Sequence, residues 1–355
     1  SHADIVGFQE VFEEPALARV IEEADARGLA SNEVSLPDRS KPYRRKAIFQ
    51  KLAYESYAEA TLAFAPNLND GPPGQRRPGL AILSRWGFAE PPEVIQDLDP
   101  THRVELRSLL GEAAGHYDIS RLSRPILKAR VPVGDHVVTV FNCHLKSKLG
   151  EHLRPEGAAF APEENLLDYD PAGRALGALR AGLRRMAEAW VLRRLVLEDL
   201  QADRPVIVLG DLNDSDHAVS TEIISGETPF RNYAWMRRHD AKTAFERYSE
   251  EEADRIKRAV ERVKLYSAER LFVRKALRDV VFTAAFGGVY ETIDMILLSR
   301  HFHPDNPSRI GEMEYFSVLN DHLTDGSFPE APYNKLASDH GQIMAHIRLG
   351  RPQRP

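Results

Sequence analysis

A single cysteine, Cys143, stands among 355 residues, so the chain cannot close a disulfide on itself. That suits the cytoplasm and equally a secreted protein without bridges, so the compartment stays open. No apolar run approaches the ~18 residues of a membrane-crossing helix, and the chain reads as soluble. The sequence opens on Ser1-His2-Ala3-Asp4 with no leader-like segment, and any targeting peptide would lie upstream of it. Positive charge is not in excess: 47 Lys and Arg stand against 53 Asp and Glu, a formal net charge of -6. A global electrostatic attraction for polyanions is therefore excluded, although a local basic patch is not. Internal repeats and low-complexity tracts are missing too. What is present is 43% hydrophobic and 28% charged residues, the balance of a globular chain long enough to bury a sizeable core.

Apolar runs bounded by turn residues alternate with helical patterns. Asp4–Gln9 reads as a buried strand. Pro15–Ala30 spaces Leu17, Val20, Ile21 and Ala24 as a helix does and ends near Gly28. Gly79–Ser84 is a short strand after a Pro/Gly-rich turn. Pro125–Val133 and His136–Cys143 read as two strands joined at Gly134-Asp135, with Pro132 marking an edge or a strand end. Arg174–Gln201 is a long amphipathic helix, and its arginines (Arg174, Arg180, Arg184, Arg185, Arg193, Arg194) are expected to solvate the outer face. Pro205–Leu209 is almost wholly apolar and hence a central strand; Thr292–Leu298 and Gln342–Leu349 are further strands. Leu149–Pro171 is a loop rich in Pro, Gly and acids, Ser249–Arg278 is densely charged and helical, and Phe302–Ala337 is irregular. All three lie between strands, so they read as insertions on one domain spanning the chain. The alternation predicts a layered α/β architecture, and the hairpins exclude a purely parallel sheet.

The chemistry-bearing residues gather at strand ends. In Val206-Ile207-Val208-Leu209-Gly210-Asp211-Leu212-Asn213, a buried strand stops and then offers Asp211 and Asn213. Residues i and i+2 of extended chain point the same way, so two hard oxygen donors face one spot. That suits magnesium or an attacking water; the competing reading is an Asx turn. Glu10 ends the strand Gly7-Phe8-Gln9-Glu10, where a carboxylate is otherwise a solvated strand end. His144 and Lys146 share a face after Val140-Phe141-Asn142-Cys143; the histidine can move a proton and the lysine can balance phosphate charge, or the imidazole can be a satisfied edge residue. Asp294 lies inside an apolar strand and needs a partner, either a catalytic histidine or a backbone amide or arginine. Ser338-Asp339-His340 precedes a strand in which Ile343, Ala345 and Ile347 alternate. Asp339 can reach a metal directly or through water, and His340 can act as general base or grip phosphate as imidazolium.

Taken in order, Gln9-Glu10, Gly79 to Arg85, Asn142 to Ser147, Gly210-Asp211-Leu212-Asn213, Ile293-Asp294 and Ser338-Asp339-His340 resemble the motifs of the endonuclease/exonuclease/phosphatase superfamily over nearly the whole chain. The resemblance implies a four-layer α/β/β/α sandwich of two mixed sheets with outer helices. It implies Glu10 as principal metal ligand for Mg2+ or Mn2+ with Asp339 near it, and Asp211 and Asn213 positioning water and binding phosphate. His144 and His340 would flank the phosphate, Asp294 would orient a histidine, and Lys146 and Arg85 would contact phosphate or support those that do. It also implies an earlier strand, ending in a metal-holding asparagine, that would precede Asp4.

Other patterns compete. Asn320-Asp321-His322 imitates Ser338-Asp339-His340, but turn residues follow it. His301-Phe302-His303 has metal-like spacing without a fourth ligand. The basic run Lys41 to Lys46 reads as a solvated face or a phosphate-backbone contact. The site predicts a metal-dependent phosphodiester hydrolase, with nucleic acid the expected substrate and an endonuclease the favoured activity. A lipid or inositol phosphate phosphodiesterase or phosphatase is the alternative, for which Phe328–Tyr333 is a poor membrane-docking candidate. A non-catalytic relative binding nucleic acid or protein is the third reading.

Overall fold

The computed structural model describes residues 3–32, 53–70, 77–99, 103–108, 110–158, 160–226, 249–273, 282–325 and 337–350. The basic run at 41–46 and the aromatic stretch 328–333 lie outside them. The chain takes the mixed α/β class read from the sequence.

A six-stranded sheet forms the backbone of the molecule. Its strands are β4 (Glu93–Asp97), β5 (Arg121–Val133), β6 (His136–His144), β7 (Val206–Asp211), β8 (Leu265–Ser267) and β9 (Asp294–Ser299). The spatial order is β8-β9-β7-β6-β5-β4, so β7 is central, as its apolar sequence required. Strands β6 and β7 run parallel and every other pair is antiparallel. The hairpin β5–β6 turns tightly at Gly134-Asp135, with Val133 opposite His136.

A second, antiparallel sheet has the order β1-β3-β2, from β1 (Ile5–Val11), β2 (Thr61–Ala65) and β3 (Gly79–Ser84). Strands β10 (Gly311–Leu319) and β11 (Gln342–Leu349) pair as a separate ladder. The region 302–337, expected to be irregular, therefore contains a nine-residue strand. A register shift between Met313 and Tyr315 breaks its alternation, which is why period two did not announce it.

Three apolar clusters order these elements. Phe141, Val208 and Leu297 pack on Ala187, Val191, Leu192 and Val196 of helix α2 (Pro171–Gln201), covering one face of the large sheet. Leu127, Val131, Val140 and Leu298 fill the other face against Leu80 and Ile82 of β3 and Met313 and Phe316 of β10. Ala81, pointing out of the opposite side of β3, meets Val11 and Leu17 of helix α1 (Glu14–Asn32). Each of these large side chains fully withdrawn from water contributes about 1.5–3 kcal/mol. Helix α3 (Val219–Ser225) packs on α2. The charged stretch 249–273 holds α4 (Glu250–Val263), opened by a Ser249/Glu252 capping box, and α5 (Ala268–Val273).

The arginines of α2 do not form its solvent face. Arg193 is buried, and Arg174, Arg180, Arg184, Arg185 and Arg194 are half-buried on the flanks. The face turned to solvent is apolar.

Candidate active site

The site is assembled by register. Across three adjacent strands, His144 of β6 is the parallel partner of Asp211 of β7, and Asp211 is the antiparallel partner of Asp294 of β9. Gly210 makes that junction possible. Its φ is +134°, and a Cβ there would lie 1.9 Å from the Cys143 carbonyl oxygen, so no side chain fits.

Each carboxylate carries an imidazole. His144 Nε2 lies 3.1 Å from Asp211 Oδ2, both side chains almost fully buried. His340 Nδ1 lies 2.8 Å from Asp294 Oδ2. Asn213 braces the first pair: its amide N–H donates to Asp211 Oδ1 at 2.7 Å, and its side-chain amide donates to Asp211 Oδ2 and to the Leu145 carbonyl. Ligand atoms of Asp211, Asp294 and His340 lie within 4.8 Å of one another.

The electrostatics differ between the pairs. Burial pushes Asp211 up, but the His144 hydrogen bond, the charges of His144 and His340 and the Asn213 amide outweigh it and hold the carboxyl below its usual range. Burial, with the Asp211 charge beside it, raises Asp294 despite His340. Burial would lower His340, yet Asp294, then Asp211 and Asp339, push it up to about 9. Both directions in the second pair describe one proton retained between Asp294 and His340. We place it on His340, because the Thr283 side chain also favours the charged carboxylate.

Glu10 and Asp339 stand outside this trio. Glu10 is exposed, with φ at +57° on the bulged end of β1. It makes no hydrogen bond or ion pair among the described residues, and a non-glycine residue is uncommon in that backbone region. Asp339 is exposed beside His340. Asn142 ties the layers together beneath the site, accepting from Gln9 at 2.7 Å and donating to the Phe8 and Ala81 carbonyls.

Other expected residues are placed elsewhere. The Arg85 guanidinium donates to the Glu55 and Ser56 carbonyls and stacks on Tyr57 at 3.8 Å. These contacts tie it to the segment 55–57 beside α1. The Lys146 ammonium turns to the Leu149 carbonyl at 2.9 Å, and burial lowers its pKa. His322 Nε2 meets the His340 carbonyl at 3.1 Å and so braces the His340 loop. His301 packs on Ser299 and Asp203, and His303 on Tyr266, so neither faces a metal cluster among the described residues.

Two residues, Arg124 and Glu188, escaped the sequence reading, and Arg185 was expected to face solvent instead. Arg124, largely buried at the start of the apolar run of β5, donates to the Leu145 carbonyl and feels the charges of both Glu10 and Asp211; its buried Nε has no partner. The only sequence signal was an arginine opening a buried strand. Glu188 of α2 is 1% exposed and accepts from the Ser123 and Lys146 amides and from Arg184. Arg185 donates to Asp214 and to the Lys146 carbonyl. Helix α2 thus grips the loops after β6 and β7 from behind.

Residues 1–340 match the Endonuclease/Exonuclease/phosphatase family, and the chain belongs to it. Members of this family are phosphoesterases, and its enzymes generally use divalent metals. Among solved structures, truncated Caenorhabditis elegans TDP2 is similar at 14% identity and TM-score 0.44, covering 98% of this chain and 84% of that one. A family protein from Leptotrichia buccalis is similar at 13% identity and TM-score 0.41 (98% and 100%). The human nocturnin catalytic domain is similar at 13% and 0.35 (89% and 71%). No curated protein matches the sequence.

Proposed function

We propose that this chain is a divalent-metal-dependent phosphodiester hydrolase acting on nucleic acid as an endonuclease. The observation that carries the reading is the convergence of two carboxylate–imidazole pairs, Asp211–His144 and Asp294–His340, at one end of the central sheet.

The residues fit a hard divalent cation. Glu10 is held outward in a strained backbone conformation with no hydrogen-bond or ion-pair partner among the described residues, and Asp211 is kept ionised. Glu10, with Asp339 directly or through water, would hold Mg2+ or Mn2+. When bound, such an ion neutralises charge on the phosphate and acidifies water. Asp211 and Asn213 orient the attacking water, the carboxylate accepting its hydrogen bond. His340, kept protonated by Asp294, donates to a phosphate oxygen as charge builds there. His144 holds Asp211 from the other side.

Hydrolysis of bis(p-nitrophenyl) phosphate in magnesium, manganese and chelator tests the chemistry apart from the substrate. Release of nitrophenol that depends on metal and is lost in Asp211→Asn is expected; the same rate with chelator would overturn the reading.

A further inference from the structure

The outer face of α2 has no function in the proposed chemistry and is left exposed among the described residues. Ala172, Leu176, Leu179, Leu183, Met186 and Trp190 follow one another at alternating intervals of four and three residues. That is a heptad seam, the pattern by which one helix packs along another. Leu176 is 44% exposed, Leu179 56%, Leu183 37% and Trp190 40%. The stripe runs roughly 27 Å at the rise of an α-helix. The opposite side of the helix, through Ala187, Val191 and Leu192, is already buried on the large sheet. Three of the flanking arginines are tied inward, Arg174 to the Glu163 carbonyl, Arg184 to Glu188 and Arg185 to Asp214.

Gly182 sharpens the point. Gly173 and Gly177 have internal reasons to lack a side chain, since Asp170 and His152 occupy the space. A Cβ on Gly182 would meet nothing within 4 Å. A mid-helix glycine is unfavourable, and no contact among the described residues returns that cost. A second helix approaching closely along the stripe does.

We propose that α2 pairs with α2 of a second copy of this chain, antiparallel about a two-fold axis between Leu179 and Leu183. Antiparallel pairing sets Leu179 on Leu183, Leu176 on Met186 and the small Ala172 on the large Trp190; parallel pairing would set Trp190 against Trp190. The seam carries no charge, so a self-complementary contact meets no like-charge repulsion. The N-terminal end of the stripe bears Asp168 and Asp170 and the far end bears Arg194, so antiparallel copies bring unlike charges together. The helix dipoles oppose as well.

Sedimentation velocity on the full chain, from low micromolar to high micromolar concentration, reads the association. The expected result is a species of twice the 40.0 kDa chain mass. Leu179→Glu with Leu183→Glu, both at exposed positions, should weaken it by about a hundredfold, as charge buried in a heptad seam does. An unchanged circular dichroism spectrum separates this from unfolding. Orientation is read by cysteine trapping, with native Cys143 buried. Ala172→Cys chains mixed with Trp190→Cys chains should cross-link under oxidation, and neither should alone. A monomer throughout the range overturns the proposal, and so does a dimer indifferent to the glutamates or cross-linked within each single-cysteine preparation. A monomer that floats with phosphatidylcholine vesicles would assign the stripe to a lipid surface instead.

Discussion

Asp211 and Asp294 are register partners on neighbouring strands, and each carboxylate holds its own histidine. The two pairs are unequal. Asp211 is held in its ionised form, while Asp294 and His340 keep a proton between them. One pair presents a carboxylate and the other a protonated imidazole.

Removing the charge from Asp294 should therefore disarm His340. Asp294→Asn keeps the shape but leaves the imidazole without its carboxylate, and kcat should fall by about 10² to 10⁴, the range of a displaced general acid or base. Phosphodiester hydrolysis at matched metal checks it. A fall in kcat with unaltered melting temperature is the expected pattern.

Glu188 and Arg185 act from behind. Glu188→Ala leaves the Ser123 and Lys146 amides without their acceptor, at about 1–3 kcal/mol for each buried group so orphaned. The loop carrying Lys146 should loosen, lowering kcat more than it raises KM. Glu188→Gln retains a carbonyl acceptor and should recover part of both losses, as read by urea denaturation and steady-state kinetics.

The motif glycine is structural. Gly210→Ala must displace the Cys143 carbonyl or distort β7, and it should cost more than about 3 kcal/mol, beyond ordinary backbone strain. Thermal unfolding measures this directly, with or without metal.

Much of the candidate site was legible because strand ends and i, i+2 spacing are local properties. Asp211 and Asn213 announced themselves after an apolar strand closed by glycine, and Asp294 announced its need for a partner. The contacts of Glu188 with Ser123 and of Arg185 with Asp214 join distant parts of the chain, so no local pattern encodes them. The outer face of α2 was misread for another reason. Its arginines are numerous, but they sit on the flanks, and only the phase of Leu176, Leu179 and Leu183 reveals which side faces water.

Glu269 gives a second pH signature, from a pocket that it lines together with Asp294. Burial, reinforced by Asp216 and opposed by Arg270, raises its carboxyl from 4.5 to about 7. The folded state binds that proton more tightly than the unfolded chain, so this contribution to stability is complete below pH 4.5 and is lost as pH rises through 7. Glu269→Gln should stabilise the protein at pH 8 by about 1–2 kcal/mol, a figure reduced for its partial exposure, and have little effect at pH 4. Thermal melts of both proteins across that range check the sign.

The most direct test of the nuclease assignment is nicking of supercoiled plasmid by the purified chain in magnesium, in manganese and in chelator, beside His340→Ala at equal concentration. The predicted result is nicking that requires metal and falls by about a hundredfold or more in the variant, within the general acid–base range. Intact plasmid in both metals would contradict an endonuclease acting on duplex DNA and would direct the same site to a smaller phosphoester.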